Sequence, residues 1–361
     1  MSSKNIANII MNSAANINLS ERLLTARRMS GLSLQELSDK MQNRVSRQAI
    51  HQFEQGKSKP ETDTLLDLAN ALDVRLDYFY RNSAITFEKL EYRKKVKLTK
   101  SEEIAIQETA KDRLERYFEL EELTNAQLSF TNPIEDFIIK NLDDIETAAE
   151  QVRAVWNLGL KPIPSVIEML EEKGIKVLEV DATDGFQGFS AEANAALIVV
   201  INANDDAFRK RFTAIHELAH ILLKFEEGLD IEKYCHAFSG AFLFPKPSVI
   251  EVFSAKRKKV SFAELIQQKC YYGISIQAIL MRLRNLDIIA DSTYKGFIIW
   301  MNKAGYRTKE PGEYAGVEKA MRFSQLLYRA AVEEVISLSK AASLNNQTIF
   351  DFRNELNGTN P

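Results

Sequence analysis

The sequence predicts a multidomain chain: an all-α bundle at the front, an α+β domain in the middle and a helical C-terminal region. Three observations predict it. Short capped segments of helical period run from about Leu19 to Tyr80, strand-like apolar runs lie between residues 175 and 204, and amphipathic segments fill the chain after Ser261. With 361 residues, 45% of them hydrophobic and 27% charged, the chain holds apolar material for two or three cores. The expected divisions are 19–80, a charged helical linker at 81–144, a domain at 145–260 and a helical region at 261–361.

The front segments read ERLLTARRMSG, SLQELSDKM, SRQAIHQFEQG and ETDTLLDLANALD. Gly31 and Gly56 mark helix ends, Ser33 and Ser46 are N-caps, and Ser33 with Glu36 forms a capping box. Leu23, Leu24, Leu34, Leu37, Ile50, Phe53, Leu65, Leu68, Ala69 and Leu72 supply one small core. Charge is unevenly divided. Residues 1–100 carry 17 Lys and Arg against 11 Asp and Glu, and the remaining 30 cations face 39 acids. A basic front suits phosphate, although a solvated surface has the same composition.

This order of helices resembles the helix-turn-helix domain of Cro/CI/XRE-type regulators over about sixty residues. The trailing E-x-G-K-x-x-P of that pattern is carried here by Glu54, Gly56, Lys57 and Pro60. The resemblance implies that the helix beginning after Ser46 is a recognition helix whose first turn faces the major groove. Ser46, Arg47, Gln48 and His51 are then the candidates for base edges, because Arg pairs with guanine and Gln with adenine in bidentate fashion. Gln35 and Lys57 would hold phosphate. The implied partner is operator DNA, against the reading of a polar bundle that docks only protein.

In the linker, LEYRKKVKLTK is basic and strand-like through Val96 and Leu98, and the Arg93-Lys94-Lys95 run is either a DNA contact or a solvated face. Ile104, Ile106, Ala110, Leu114, Tyr117, Phe118 and Leu120 then recur at helical spacing, which predicts one long helix. Its stripe can pack on the middle domain or pair with a second copy in a homodimer.

The middle domain begins near Ile145 with the helices IETAAEQVRAVWNLG and PSVIEMLEEKG, followed by strands in IKVLEVDA, GFQGFSAE and ALIVVINAN. The last is a continuous apolar run closed by Asn202, as suits a buried strand. An edge strand near the site that follows can hold an extended peptide by main-chain pairing, and the turn from Phe186 through Gly188 to Ser190 is expected to face the cleft.

Then comes RFTAIHELAHILL. His216 and His220, four residues apart, project from one helical face and can offer two ring nitrogens to one tetrahedral zinc. Glu217 stands beside them as a general base for water activated by the metal. Five letters of this kind also occur on ordinary amphipathic helices. A catalytic zinc needs a third protein ligand and an open position, and Glu226, Glu227, Asp230 and Glu232 are near. Glu232 is the choice, because it opens a second helix with Cys235, Phe238, Ala241 and Phe242 on its apolar face, whereas the other three lie in the turn around Gly228. Pro245 and Pro247 end that helix.

These segments resemble the ImmA/IrrE-type metallopeptidases, whose pattern runs R-x-R-F-T-x-A-H-E-x-x-H and then E-x-x-A-N-x-F-A-x-x-L-L-M-P. Arg209, Arg211, Phe212 and Thr213 lead into His216, Glu217 and His220, and Glu232, Phe238, Leu243 and Pro245 follow in step. The resemblance implies a small reduced-zincin-like α+β fold, Zn2+ held by His216, His220 and Glu232, and Glu217 as base. Ile215, Cys235, His236 and Phe244 depart from the pattern. His236, four residues beyond Glu232, or Cys235 could add a fourth ligand and close the site, making it structural; as a small buried hydrophobe Cys235 would do neither.

ISIQAILMRLRNL and ISLSKAASLNNQTIFDF in the tail resemble the stretches that follow the zinc domain in longer members, with a faint helix-turn-helix rhythm. Two cysteines provide no disulfide framework, and no signal segment or bilayer-length apolar run is present, so a cytoplasmic protein without membrane attachment is expected. The functional expectation is a DNA-binding regulator with a zinc endopeptidase domain, cleaving by resemblance an XRE-type repressor, a partner or itself, to relieve repression. A repressor whose zinc domain is a non-proteolytic sensor or docking module is the alternative, and Glu217 separates them, since a sensor has no need of that carboxylate.

Overall fold

A computed structural model describes residues 19–81, 85–92 and 98–358, with 89–92 described by their backbone. The chain divides into two compact units, each discontinuous in sequence. The first comprises residues up to 86, 97–127 and 321 onward; the second comprises 87–96 and 128–320. The stretches expected as linker and tail are thus each shared between units. The Arg93-Lys94-Lys95 run, Val96 and the basic contact considered for them lie outside the described residues.

In the first unit, helix α1 spans 19–29, α2 Leu34–Lys40, α3 Arg47–Glu54 and α4 Thr62–Leu72, followed by a 3-10 turn at Leu76–Tyr80. Both components of the Ser33–Glu36 capping box form, and Ser46 caps α3 by accepting from the Ala49 amide at 3.2 Å. Leu23, Leu37, Ile50, Leu65, Leu68 and Leu72 close over one core. Arg27 on α1 holds Glu54 at the end of α3 through two charge-assisted hydrogen bonds, of 2.5 and 2.9 Å.

The long helix α5, Lys100–Thr124, begins at a Thr99–Glu102 capping box. Its buried stripe comprises Ile106, Ala110, Leu114, Tyr117 and Leu120. Leu120 packs with Leu327, Ala330, Leu344 and Phe352 of three C-terminal helices: α14 (Arg322–Val332), α15 (Leu338–Leu344) and α16 (Ile349–Leu356). Charge joins the same helix to the bundle. Arg22 of α1 meets Glu115 of α5 bidentately at 2.8 and 3.1 Å, both side chains buried, and Arg81 meets Asp112 at 3.2 Å.

The second unit is mixed α/β. Strands β1 (Glu88–Tyr92), β3 (Lys176–Val180), β4 (Gly188–Ala193) and β5 (Ala196–Asn202) form a sheet in the order β1-β4-β5-β3, with β3 parallel to β5 and the other pairs antiparallel. Ile198, Val199, Val200 and Ile201 are all fully buried, which explains the unbroken apolar run of β5. A two-residue β2 (Ile138–Ile139) pairs in parallel with β6 (Lys224–Phe225). Helices α6 (Leu142–Val155) and α7 (Val166–Glu172) precede the sheet. Helices α8 (Ala207–Leu222), α9 (Ile231–Leu243) and α10 (Lys246–Phe253) follow it, and then α11 (Phe262–Tyr272), α12 (Ile276–Asn285) and α13 (Asp291–Lys303). One core runs from Ala148 and Val152 of α6 through Val199 and Ile201 of β5 to Ile215 and Leu218 of α8 and Phe238 and Phe242 of α9.

β4, the strand that begins at the expected cleft turn, is an inner strand of this sheet. β4 pairs with β5 along Gly188–Ala193 and with β1 at Glu192, Ser190 and Phe189. The expected turn from Phe186 to Ser190 is largely the start of β4, and Phe186 is fully buried. No helix among the described residues is long and apolar enough to cross a membrane.

Candidate metal centre and nucleic-acid interface

The metal candidates sit on α8 and α9, which pack against one another in the core of the second unit. Asp206 caps α8 by accepting from the Arg209 amide at 2.9 Å, and Asp230 caps α9, placing Glu232 in its first turn. His216 Nε2 and His220 Nε2 are 3.2 Å apart, Glu232 Oε2 is 3.5 Å from the first and Glu232 Oε1 is 3.3 Å from the second. A tetrahedral ion with bonds of about 2.0–2.1 Å needs donors separated by roughly 3.3–3.4 Å. The two ring nitrogens, and the Glu232 oxygen nearest each of them, have about this spacing before any ion is considered, and His/His/carboxylate is a borderline set that suits zinc. Glu226, Glu227 and Asp230, the other acids weighed from sequence, are not part of this cluster.

Cys235 is buried with Sγ 3.8 Å from His220 Nδ1, so it touches the nitrogen that points away from the cluster. Were Nε2 to hold a metal, Nδ1 would carry the proton and would donate a hydrogen bond to the sulfur, which would fix the ring. Burial pushes the Cys235 thiol up. The exposed His236 ring lies 4.6 Å from the His216 ring and 5.8 Å from that of Phe212, centroid to centroid. It flanks the cluster of three.

Glu217, one residue beyond His216, is buried at 1% exposure. Gly188 of β4 sits against it: a Cβ there would lie 3.5 Å from Glu217 Cγ, 2.7 Å from Thr213 Cγ2 and 2.8 Å from the Val200 carbonyl oxygen. Only glycine lets β4 approach α8 this closely. Two hollows flank the centre and both are lined in part by this strand or its approach. One contains Gln187, Phe212, Thr213 and His236; the other contains Ser190, Glu192 and His220.

Sequence reasoning missed what anchors the two helices. Arg211 is fully buried and donates to the carbonyls of Gly273 and Ile163 at 3.0 and 2.9 Å, to the Tyr314 hydroxyl at 3.0 Å, and to Glu318. Glu318 in turn accepts from the Val166 and Ile167 amides at the start of α7, each at 3.0 Å. At the end of α9, Arg153 donates to the Phe242 carbonyl at 2.7 Å and Arg282 to that of Phe244 at 3.0 Å. A signal for Arg211 was present in the R-x-R-F-T run, but its acceptors lie 48 to 107 residues away.

In the first unit, Gln35, Ser46, Arg47, Gln48 and His51 share one exposed hollow with Ser38 and Asn43, and Lys57 is exposed beyond the end of α3. Gln35 Nε2 donates to Asp39 at 2.9 Å, and His51 Nε2 lies 2.8 Å from Gln55 Nε2 along its own helix. The polar rim made by the start of α2 and the first turn of α3 has the exposure that base readout requires.

Two family models match: a helix-turn-helix model over residues 23–79 and an IrrE N-terminal-like domain model over residues 170–284. The chain is a fusion of an XRE-type helix-turn-helix domain with an ImmA/IrrE-like peptidase domain. The first match covers most of the α1–α4 bundle and the second runs from the end of α7 through β3, β4 and β5, α8 and α9 to α12. Nothing matches among the curated proteins or among the solved structures.

Proposed function

We propose that this fusion is a transcriptional regulator that binds operator DNA through α3 and hydrolyses a peptide bond in a helix-turn-helix repressor, its partner or itself, with a zinc-dependent endopeptidase. The observation that carries the reading is the spacing of His216, His220 and Glu232, with donor separations of 3.2 to 3.5 Å, beside the buried Glu217.

When bound, zinc supplies a Lewis acid and lowers the pKa of water in the open position to about 7. Glu217 would take a proton from the water that adds to the peptide carbonyl and would return it to the departing amine nitrogen. Cys235 orients the His220 ring from behind.

The test is Glu217→Gln in the full chain, a change that keeps size and hydrogen bonding while removing the base. The expected result is retained zinc and operator affinity with loss of proteolysis and of derepression in cells. Normal derepression by a zinc-loaded Glu217→Gln chain would overturn the peptidase reading in favour of a sensor or docking module.

A further inference from the structure

The strand beside Glu217 is β4, and both of its edges are in use: β5 holds one and β1 holds the other. Residues paired directly across a sheet share a face. Gly188, Ser190 and Glu192 pair with Ile201, Val199 and Leu197, and Val199 and Ile201 belong to the core under α8. Those three positions of β4 therefore face the metal helix. The two hollows flanking His216 and His220 follow the same strand, one at Gln187 and the other at Ser190 and Glu192. An extended peptide lying along this cleft gains main-chain hydrogen bonds only from the β4 edge that β1 occupies.

β1 has the marks of a replaceable occupant. It is five residues long, at the end of the sheet, and the register slips between Glu88 and Glu91, where three steps on β1 face two on β4. A bulge of this kind disrupts the ladder locally. Among its described side-chain contacts is the edge-to-face pair of Phe87, just before the strand, with Phe189, at 5.7 Å. Its last residue, Tyr92, is in register with Phe189, next to the Gly188 that touches Glu217. The strand thus runs up to the centre from within the chain, between the helix-turn-helix bundle and α5.

We propose that β1 is an internal competitor for the peptide-binding edge of β4, and that substrate is an extended segment of about five residues which pairs there after β1 leaves. The proposal rests on the peptidase reading for the identity of the cleft. Because a chain with β1 in place is binding-incompetent, the apparent affinity for peptide falls by the fraction of chains whose edge is open.

The experiment uses the full zinc-loaded chain carrying Glu217→Gln and a fluorescein-labelled synthetic peptide with the sequence of residues 85–92. Adding Leu90→Pro, which removes a main-chain donor from β1, is expected to tighten peptide binding about tenfold or more in anisotropy titrations. A cross-strand Glu91→Cys/Ser190→Cys pair, verified as a disulfide by mass, is expected to abolish binding and to regain it on reduction with a phosphine. Equal affinity in the Leu90→Pro, locked and reduced chains overturns the proposal. With Glu217 restored, hydrolysis by the locked chain as fast as by the reduced one overturns it while leaving the peptidase reading intact. Peptide binding that follows the lock without hydrolysis in any form supports the strand's role and removes the peptidase reading.

Discussion

At the scale of the residue, the proposed centre rests on three donors and one base. Purified protein is expected to hold close to one zinc per chain and His216→Ala close to none, measured by elemental analysis; equal metal in both would remove the site. Arg211 is the residue whose loss should be felt most widely. It is buried with Glu318, so Arg211→Met strands a carboxylate among the α7 amides, and breaking such a buried pair costs about 3–5 kcal/mol. Denaturant titration should show this loss, and unchanged stability would mean that the network does not hold α8. On the other unit, Arg47→Ala and Gln48→Ala should each weaken operator binding by about 1–3 kcal/mol, while Lys57→Ala weakens all sequences alike and lowers the salt slope. Equal binding of operator and random duplex by wild type and variants would end the sequence-specific reading. The donors were legible because His at i and i+4 is a local geometric fact; Arg211 was not, because nothing local marks its distant acceptors.

At the scale of the element, α8, α9 and the strands β3 to β5 fall on the segments that period and punctuation marked. Ser33, Ser46, Gly31 and Gly56 act within a turn of themselves, so their signals survive in the fold. Strand pairing is different. The residues of β4, buried on both faces, do not say which segment lies beside it, and the segment that does, β1, overlaps a stretch of the linker read as basic and strand-like. Gly188 follows from that packing. Gly188→Val should force β4 away from α8 and destabilise the second unit by about 1–3 kcal/mol, read by thermal or chemical unfolding. A fully stable Gly188→Val chain would mean that the close approach to Thr213 and Glu217 is not required.

At the scale of the whole molecule, the chain order of segments is not the order in which they are gathered into cores. α5 and α14–α16 share a unit with the helix-turn-helix bundle although 190 or more residues separate them from one another. Arg22 and Glu115 stand at the centre of that unit, and burial pushes the Glu115 carboxyl up while the adjacent guanidinium pulls it down. Arg22→Met leaves Glu115 buried without its counter-charge and should cost the first unit about 3–5 kcal/mol. Zinc content should be unchanged, so unfolding followed in parallel with metal analysis checks the assignment of α5 to the bundle. Loss of metal together with stability would argue that the units do not behave separately.

Local chemistry was readable from the amino-acid order: helix caps, the HExxH face, the glutamate that opens α9, the polar first turn of α3, and the division into helical and mixed domains. These depend on interactions within one to four residues or on composition, and a sequence displays both directly. The partner of the α5 stripe, the acceptors of Arg211, the sulfur behind His220 and the strand that fills the edge of β4 emerged only with the fold. Each joins groups distant in sequence, and many apolar stripes, cations and short strands in this chain could have met in their place. Which of them meet is decided when all the cores close together.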